Sequence, residues 1–273
     1  MNRQWLFVRL PNPMRSRPEQ HAVRVVTTMV GELVDHLRTQ DPDAQWEFRR
    51  PDATGGPDLG LWFHSAEPVL KELERRLLAR SSAHNWPMIT CTYAPETVKY
   101  HSPGTLRTAH RLATESSSFA LELLLDGGGD PAQRQWLALA HLWQITALVP
   151  ERERAAFLFH LWQFGTDGLD PAERARLAAE ADAPAGVPDG VCVPGDVALW
   201  DRYLSAVRAV AAAGREDVIP VNFLLYDHVL LTHERLGIPA RTGARAARTV
   251  RSALAADTPL PTAFTGLTPL QSA

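Results

Sequence analysis

The sequence predicts an α+β fold in which a β-α-β-β-α-β unit is followed by a helical half. In the first hundred residues, short runs rich in aromatic and β-branched residues alternate with segments of helical periodicity. From about residue 103 onward, apolar residues recur almost only at the spacing of helices. Packing the later helices against the sheet of the first half is the simplest way to bury both.

The first strand and the first helix are separated by prolines. Residues 5–10 form an aromatic and β-branched run that ends at Pro11, which cannot continue a β-ladder. Pro18 then suits the first turn of a helix. The apolar residues of this predicted helix follow the 3-4-3 spacing of one helix face, and they are Val23, Val26, Val30, Leu33, Val34 and Leu37.

Two more strands, a second helix and a fourth strand complete this unit. Residues 45–50 and 58–64 are predicted strands, joined by a turn-rich loop over 51–57. Residues 67–79 have helical spacing, and 88–93 form the fourth predicted strand. This order matches a ferredoxin-like split β-α-β arrangement.

The rest of the chain is predicted to be helical. The predicted helices cover residues 105–125, 133–148, 150–164, 170–181, 197–213, 221–236 and 241–256. Asp130 and Pro131 supply an N-cap and a first-turn proline to the second of them. Residues 183–196 are too rich in Pro and Gly for a regular element, so we expect a surface loop or a mobile flap. We expect residues 1–257 to form one domain and residues 258–273 to form a disordered tail.

Composition and charge argue against several classes of protein. The chain has 273 residues, is 45% hydrophobic and carries a net charge of −3, which disfavours nucleic-acid binding. No apolar run approaches the ~20 residues of a membrane helix, and no signal peptide is recognisable. Cys91 and Cys192 lie far apart, so we expect a cytoplasmic protein without a zinc site or disulfide. GxSxG, P-loop, GxGxxG and HExxH motifs are absent, so hydrolase, NTPase and dehydrogenase functions have no motif support.

Five short motifs carry a family resemblance. They lie at residues 5–10 (WLFVRL), 46–50 with 58–63 (WEFRR and DLGLWF), 92–100 (TYAPETVKY), 112–117 (LATESS) and 232–237 (THERLG). The last four are similar to W-F-F-I-R-Y with H-L-R-L-R-F, T-Y-x-P-E-x-x-R-Y, L-F-H-A-D-S and x-x-N-R-L-G. On these motifs the chain resembles the thiopeptide-type bacteriocin biosynthesis family. The resemblance implies the fold of the glutamate-elimination domain of class I lantibiotic dehydratases.

The departures from the family pattern distinguish between its branches. Elimination domains remove glutamate from glutamylated Ser or Thr, and two arginines of the hairpin hold the leaving carboxylate. The resemblance places Gly60 and Trp62 at those two positions. Lys99 replaces the motif arginine, and the histidine expected before N-R-L-G matches Leu230 or Thr232. Since Gly60 and Trp62 cannot clamp a carboxylate in this way, glutamate elimination is disfavoured.

The related branch with this fold and a different chemistry is the thiopeptide pyridine synthase. Such enzymes join two dehydroalanines of a thiazole-rich peptide in a formal (4+2) aza-cycloaddition, and then expel water and the leader peptide. The resemblance implies that the partner is a ribosomally made precursor peptide that carries a leader, and other thiopeptide maturation enzymes are possible partners. It implies binding to neither nucleic acid nor membrane. It implies no metal and no redox cofactor, because the reaction requires only that two alkenes are held in contact and that acid–base groups assist the eliminations. A flat aromatic-lined pocket suits such a substrate.

The candidate site residues fall into two groups. Side chains that can transfer protons or stabilise an oxyanion are predicted to be catalytic, and they are His64, Tyr93, Glu96 and Tyr100. The predicted substrate-binding residues are Gly60, Trp62, Lys99, His101, Ser116, Ser117, Asn222 and Tyr226. Period-2 alternation places Gly60, Trp62 and His64 on one strand face. Asn222 and Tyr226 share a helix face.

Structural explanations compete with these functional ones. Trp62 is also compatible with a place in the core, the serines with close helix packing, and Glu96 with Lys99 in a loop-holding ion pair. Three alternative functions of the protein are compatible with the sequence. The leading one is a pyridine or dehydropiperidine synthase. The second is a split elimination protein with an altered glutamate site, and the third is a non-catalytic subunit that binds a precursor peptide.

Overall fold

The computed structural model of the protein describes residues 3–12, 18–50, 58–94, 99–100, 102–127, 130–183, 197–215 and 220–256. The chain divides into two compact units, Met1–Gly127 and Gly128–Ala273, which we call the sheet unit and the helical unit. The expected tail, 258–273, lies outside the described residues, as does all but the first residue of the loop 183–196. One domain over 1–257 stays a prediction.

The sheet unit is built on four strands. They are β1 (Arg3–Pro11), β2 (Gln45–Arg49), β3 (Asp58–Ala66) and β4 (Ile89–Cys91). Their order across the sheet is β2-β3-β1-β4, and each neighbouring pair is antiparallel. This is the order of a ferredoxin-like split β-α-β unit, so the predicted architecture of this half is confirmed. β4 has three residues and is shorter than the predicted strand over 88–93.

Helices provide most of the remaining core of the sheet unit. α1 (Pro18–Val25), a π-helical turn (Val26–Val30) and α2 (Gly31–Gln40) form one continuous helix, as the apolar spacing predicts. α3 (Glu67–Ala83) follows β3. The buried apolar side chains of these strands and helices include Leu6, Val8, Leu10, Leu59, Leu61, Phe63, Val26, Val30, Leu33, Leu37, Leu70, Leu73 and Leu77. Each such burial contributes about 1.5–3 kcal/mol relative to an exposed side chain.

The edge of the sheet at β2 is closed by side chains of a fourth helix, α4 (Pro103–Leu125). The Trp46 N–H donates to Thr114 Oγ1 at 3.2 Å, and the Phe48 N–H donates to Ser117 Oγ at 3.2 Å. Both donors therefore point away from β3. An edge strand would otherwise carry these N–H groups unpaired, which is costly in a buried position.

Replacement of Ser117 by alanine is expected to lower the free energy of unfolding by about 1–3 kcal/mol, because the buried Phe48 N–H loses its acceptor. Ser82→Ala is the control, since Ser82 is an exposed serine near the end of α3. The measurement is urea denaturation of both variants and the parent. Equal midpoints for Ser117→Ala and the parent would contradict this role of α4.

The helical unit contains six described helices. They are α5 (Pro131–Leu148), α6 (Glu151–Thr166), α7 (Pro171–Asp182), α8 (Val197–Arg215), α9 (Val221–Leu236) and α10 (Ala240–Ala255). The predicted Asp130 cap is confirmed: its side chain accepts from the Gln133 N–H at 2.8 Å, and Gln133 Oε1 accepts from the Asp130 N–H. α9 ends at Gly237 in the left-handed region, φ 65°. No described helix is both long and apolar enough to span a membrane.

α6 and α10 approach each other closely at Gly165. A Cβ at this position would lie 2.3 Å from the Ala240 carbonyl oxygen and 2.8 Å from the Ala244 Cβ. Near this contact, Trp162, Leu177 and Ala244 form a buried apolar cluster. Small side chains thus set the distance between the two helices.

The core of the helical unit also contains a buried polar cluster, formed by His141, Tyr203, Thr232 and His233. His141 Nε2 and the Tyr203 hydroxyl are 2.6 Å apart, and Tyr203 donates to Thr232 Oγ1 at 3.3 Å. The His233 ring lies 5.0 Å from the His141 ring. We call these four residues the histidine cluster.

Candidate functional site

The side of the sheet opposite the buried leucines carries a group of aromatic residues, which we call the aromatic face. Trp5 and Phe7 of β1 lie there with Gly60, Trp62 and His64 of β3. The strand register pairs Trp5 with His64 and Phe7 with Trp62. The structure therefore places the three candidate residues of β3 on one face, as the alternation of side chains predicts.

Trp62 and Gly60 form one structural feature. The Trp62 ring is stacked on Phe7 with a centroid distance of 4.3 Å and an interplanar angle of 8°. The Arg49 guanidinium lies over the Trp62 ring at 5.5 Å. A Cβ on residue 60 would be 2.4 Å from Trp62 Cη2, so the indole occupies the space of any larger side chain there. Glycine at 60 is what leaves room for the Trp62 ring.

Trp5 is the centre of a second group of rings. Its indole stacks on His64 at 4.8 Å, lies 4.8 Å from the Tyr93 ring and contacts the His110 ring edge-on at 4.6 Å. These partners come from β3, from the chain after β4 and from α4. One tryptophan thus brings a phenol and two imidazoles to the same end of the aromatic face.

Tyr93 and His110 are joined by a hydrogen bond, with 2.7 Å between the hydroxyl oxygen and Nε2. His110 lies in α4, whose start is capped by Ser102, which accepts from the Thr105 N–H at 3.0 Å. A phenol and an imidazole at this distance can share or transfer a proton.

The surroundings of His64 favour its neutral form. Burial, followed by the positive charge of Arg3, lowers the pKa of His64, while Asp41 acts in the opposite direction. Arg3 and Asp41 are themselves paired at 2.7 Å. Among the described residues, the buried His64 Nδ1 has no hydrogen-bond partner. A neutral imidazole can accept a proton near neutral pH.

The other candidates of the sheet unit lie in different surroundings. Tyr100 is buried and Lys99 is half-buried, whereas Glu96 and His101 lie outside the described residues. Ser116 and Ser117 are fully buried in α4. Because Ser117 accepts from the Phe48 N–H, a role of these serines in substrate contact stays a prediction.

Asn222 and Tyr226 belong to the helical unit. Asn222 Nδ2 donates to Glu153 Oε2 at 3.0 Å, and the Tyr226 ring contacts Phe164 edge-on at 6.4 Å. Burial and the neighbouring Asp227 raise the pKa of Tyr226. Both contacts join α9 to α6. A role of Asn222 and Tyr226 in substrate binding stays a prediction.

Four residues at the aromatic face were not predicted as site residues, namely Trp5, Phe7, Arg49 and His110. Trp5 and Phe7 alternate with buried Leu6 and Val8, a pattern that indicates the same face. His110 carries no comparable signal in the sequence. Within the described residues, no group of three or more His, Cys, Asp or Glu side chains could hold a metal ion.

Comparisons with known proteins agree with this fold. A family model described as lantibiotic biosynthesis dehydratase C-term matches residues 5–254. The crystal structure of the tRNA dependent lantibiotic dehydratase MibB from Microbispora sp. 107891 is similar with a TM-score of 0.63 and 19% identity, over 93% of this chain and 28% of that one. The crystal structure of TsrL is similar with a TM-score of 0.62 and 17% identity, over 98% and 99%. No curated protein sequence matches. The chain thus spans little more than a quarter of MibB and nearly all of TsrL.

Proposed function

Because the chain belongs to the lantibiotic biosynthesis dehydratase C-terminal family, we propose that it acts on a ribosomally made precursor peptide as a pyridine or dehydropiperidine synthase. The family contains biosynthetic dehydratase-like and cyclase-like enzymes of peptide maturation. In the proposed reaction, two dehydroalanines join in a formal (4+2) aza-cycloaddition. Loss of water and of the leader peptide then completes a pyridine.

The observation that carries this proposal is the pairing of Gly60 with Trp62. Elimination domains of this family are expected to place two arginines there, which would hold a glutamate carboxylate. In this chain the Trp62 ring covers Gly60 and stacks on Phe7, so no side chain at 60 could coexist with it. Both departures therefore belong to one pair of stacked aromatic rings, with the Arg49 guanidinium over Trp62. Aromatic rings at this place would bind planar rings, such as thiazoles, by stacking or edge contacts.

The polar groups around Trp5 supply the acid–base chemistry in this proposal. Stacking on Phe7 and Trp62 would hold the azole rings and so bring the two alkenes into contact. Tyr93 would donate a proton to a developing oxyanion or leaving group, and the neutral His64 would accept one. Glu96 and Tyr100 are the other proposed acid–base residues, as their motif positions suggest.

A second candidate function, glutamate elimination, is favoured by two arginines beside Gly60. The register places Arg9 of β1 and Arg49 of β2 opposite Gly60, one on each side. Arg9 forms an ion pair with Asp58, and Arg49 lies over Trp62. A glutamate would have to compete with both contacts, so we rank this function second.

The test is incubation of the protein with a leader-bearing thiazolyl peptide that contains two dehydroalanines, followed by mass spectrometry. We expect loss of water and of the leader. Trp62→Leu is expected to lower kcat/KM about tenfold or more, because it removes ring contacts of about 1 kcal/mol each. Trp86→Leu is the matched control: Trp86 is a buried tryptophan of the sheet unit that stacks on His84.

Two other outcomes would overturn the proposal. Release of glutamate from a glutamylated serine peptide, without ring formation, would establish the second candidate. Tight binding of the precursor peptide by folded protein, with no change in its mass, would indicate a non-catalytic binding subunit. In that case Trp62→Leu would weaken binding and affect no turnover.

A further inference from the structure

We propose that Arg3 and Asp41 are positioning residues of His64: the Asp41 carboxylate fixes the Arg3 guanidinium beside the imidazole, and this positive charge keeps His64 able to accept a proton. The use of His64 in turnover rests on the proposed function. The arrangement of the three side chains rests on the geometry, so the two parts can be tested separately.

The strand register brings Arg3 to the end of the aromatic face at which His64 lies. Arg3 is two residues before Trp5 in β1, so the two side chains leave the strand on the same side of the sheet. Trp5 is paired with His64, and Arg3 with Ala66, which makes Arg3 a diagonal cross-strand neighbour of His64. A side chain as long as that of arginine reaches across such a diagonal. Arg3 therefore brings a guanidinium to the same end of the sheet as the imidazole.

Asp41 holds the Arg3 guanidinium in place. It directly follows α2, and its Oδ1 accepts from Arg3 Nη2 at 2.7 Å. Its Oδ2 accepts at 2.5 Å from the hydroxyl of Ser65, which is the neighbour of His64 in β3. Arg3 Nη1 also donates to the Asp43 carbonyl oxygen at 2.8 Å. Because both oxygens of this largely buried carboxylate accept hydrogen bonds, Asp41 fixes the guanidinium next to the strand that carries His64.

The charges of Arg3 and Asp41 have opposite effects on His64. The Asp41 carboxylate alone would favour the imidazolium, because opposite charges attract. Burial, and then Arg3, act against it, and the pKa of His64 is lowered. Hydrogen bonding acts in the same direction, since an imidazolium carries a hydrogen on both nitrogens and the buried Nδ1 has no acceptor among the described residues. Arg3 thus outweighs the carboxylate that holds it.

Other titratable groups also lie near His64. The residue paired with His64 on β2 is Gln45, which carries no charge. The titratable neighbours on β2, before β2, after β4 and on α4 are Glu47, Asp43, Tyr93 and His110. In the described part of the chain, the charges that shift the pKa of His64 are those of Arg3 and Asp41. These two residues are therefore the ones to change.

One step of the proposed reaction shows what the neutral imidazole does. After cycloaddition, His64 accepts a proton from a ring atom, and the electrons of the broken bond form the new double bond. The hydroxyl group on the neighbouring ring carbon takes up a proton from solvent and leaves as water with the electrons of its carbon–oxygen bond. The His64 imidazolium then gives a proton to solvent, so the proton balance closes and the residue is neutral again.

The first experiment needs no substrate. The His64 ring is titrated in the full chain by nuclear magnetic resonance, and its signal is assigned as the one that is lost in His64→Gln. Arg3→Met, which keeps a long side chain and removes its charge, is expected to raise the midpoint by about one pH unit. Asp41→Asn, whose amide oxygen can still accept from Arg3, is expected to lower the midpoint by about half a unit.

Two further variants serve as controls for the titration. Arg3→Lys retains the positive charge and is expected to keep the midpoint within about half a unit of the parent. Arg80→Met is the matched control, because Arg80 is an exposed arginine of the sheet unit that forms an ion pair with Glu32. It is expected to leave the midpoint of His64 unchanged.

The opposite directions of the two shifts distinguish a charge effect from a loss of local structure. An unchanged or lowered midpoint in Arg3→Met would overturn the proposal, as would a midpoint in Asp41→Asn that does not fall. Equal rises in both variants would show that each acts only by exposing His64 to water. If Arg3→Met does not fold, Arg3→Gln replaces it, since its amide can still donate to Asp41 without carrying a charge.

The second experiment follows kcat/KM for the bis-dehydroalanine thiazolyl peptide as a function of pH. The acid limb of Arg3→Met is expected to move to higher pH with the His64 midpoint, so that its rate at acid pH lies up to about tenfold below the parent. At a pH of about 9, where His64 is neutral in both proteins, the two rates should agree within about twofold.

The two experiments separate this proposal from the proposed function. A ring-forming protein whose acid limb stays in place in Arg3→Met would overturn the role of Arg3 and leave the proposed function intact. A protein that forms no ring, yet shows the opposite shifts of the His64 midpoint, would contradict the proposed function and support the charge arrangement.

Discussion

Gly165→Ala is expected to destabilise the protein by about 3 kcal/mol, although alanine is the better helix former. The new methyl group would lie 2.3 Å from the Ala240 carbonyl oxygen, which belongs to the backbone and cannot rotate away. α6 and α10 would have to move apart, and their buried contacts around Ala244 would loosen. Overpacking of this kind costs about 1–3 kcal/mol and sometimes more, which exceeds the roughly 1 kcal/mol gained in helix propensity.

Gly31→Ala is the matched control for this prediction. Gly31 also lies in a helix, but a Cβ there would meet only Leu125 Cδ1, at 4.0 Å. We therefore expect Gly31→Ala to stabilise the protein by about 0.5–1 kcal/mol. Urea denaturation of both variants is the measurement. A Gly165→Ala protein as stable as the parent would show that the two helices are not held at the distance described.

Acidification is expected to destabilise the protein below pH ~6.5, because the histidine cluster is buried in the neutral form. Burial lowers the pKa of His233 from 6.5 to about 4. Burial, and then the neighbouring His233, lowers the pKa of His141 as well. In the unfolded chain both imidazoles bind a proton near their ordinary pKa, so the unfolded state binds more protons than the folded state over this range.

Stability is lost over the pH range between the ordinary pKa of these histidines and their lowered pKa in the folded protein. Stability is greatest above pH ~6.5 and falls as the pH decreases toward about 4, where His233 becomes protonated even in the folded protein. His233 alone accounts for a loss of about 3 kcal/mol, with a further loss from His141. The carboxylate of Asp41, whose pKa is lowered from 3.8, affects stability only at lower pH.

His233→Asn tests the acid prediction, because it removes one titrating group from the cluster. Its free energy of unfolding should depend less steeply on pH between about 6.5 and 4 than that of the parent. His160→Gln is the control, since His160 is exposed on α6. Parallel pH profiles for His233→Asn and the parent would show that His233 is not buried neutral.

Most of the fold follows from local sequence signals. The aromatic and β-branched run of β1, the alternation in β3, the apolar spacing from Val23 to Leu37 and the Asp130 cap all reappear in the structure. β4 was predicted too long, because its aromatic and β-branched composition continues beyond the three residues that pair with β1. Only pairing with a partner strand decides where a strand ends, and a single sequence does not contain that information.

The candidate site was less accessible to prediction. Strand alternation identifies Gly60, Trp62 and His64 because it is a local rule. His110 contacts Tyr93 across a separation of 17 residues, through a helix whose orientation depends on tertiary packing. The serines of α4 stand out in the sequence because serine is unfavourable in a helix interior. Their sequence could not show that Ser117 faces the backbone of a neighbouring strand instead of a ligand.

The closed edge at β2 has a consequence for how this protein can recognise a peptide. Many proteins bind an extended peptide as an additional strand at a sheet edge, where free main-chain N–H groups bind its carbonyls. Here the outward N–H groups of Trp46 and Phe48 already donate to Thr114 and Ser117. A peptide could add at this edge only by displacing α4. Strand addition at β2 is thereby blocked, both for a substrate and for another copy of the chain.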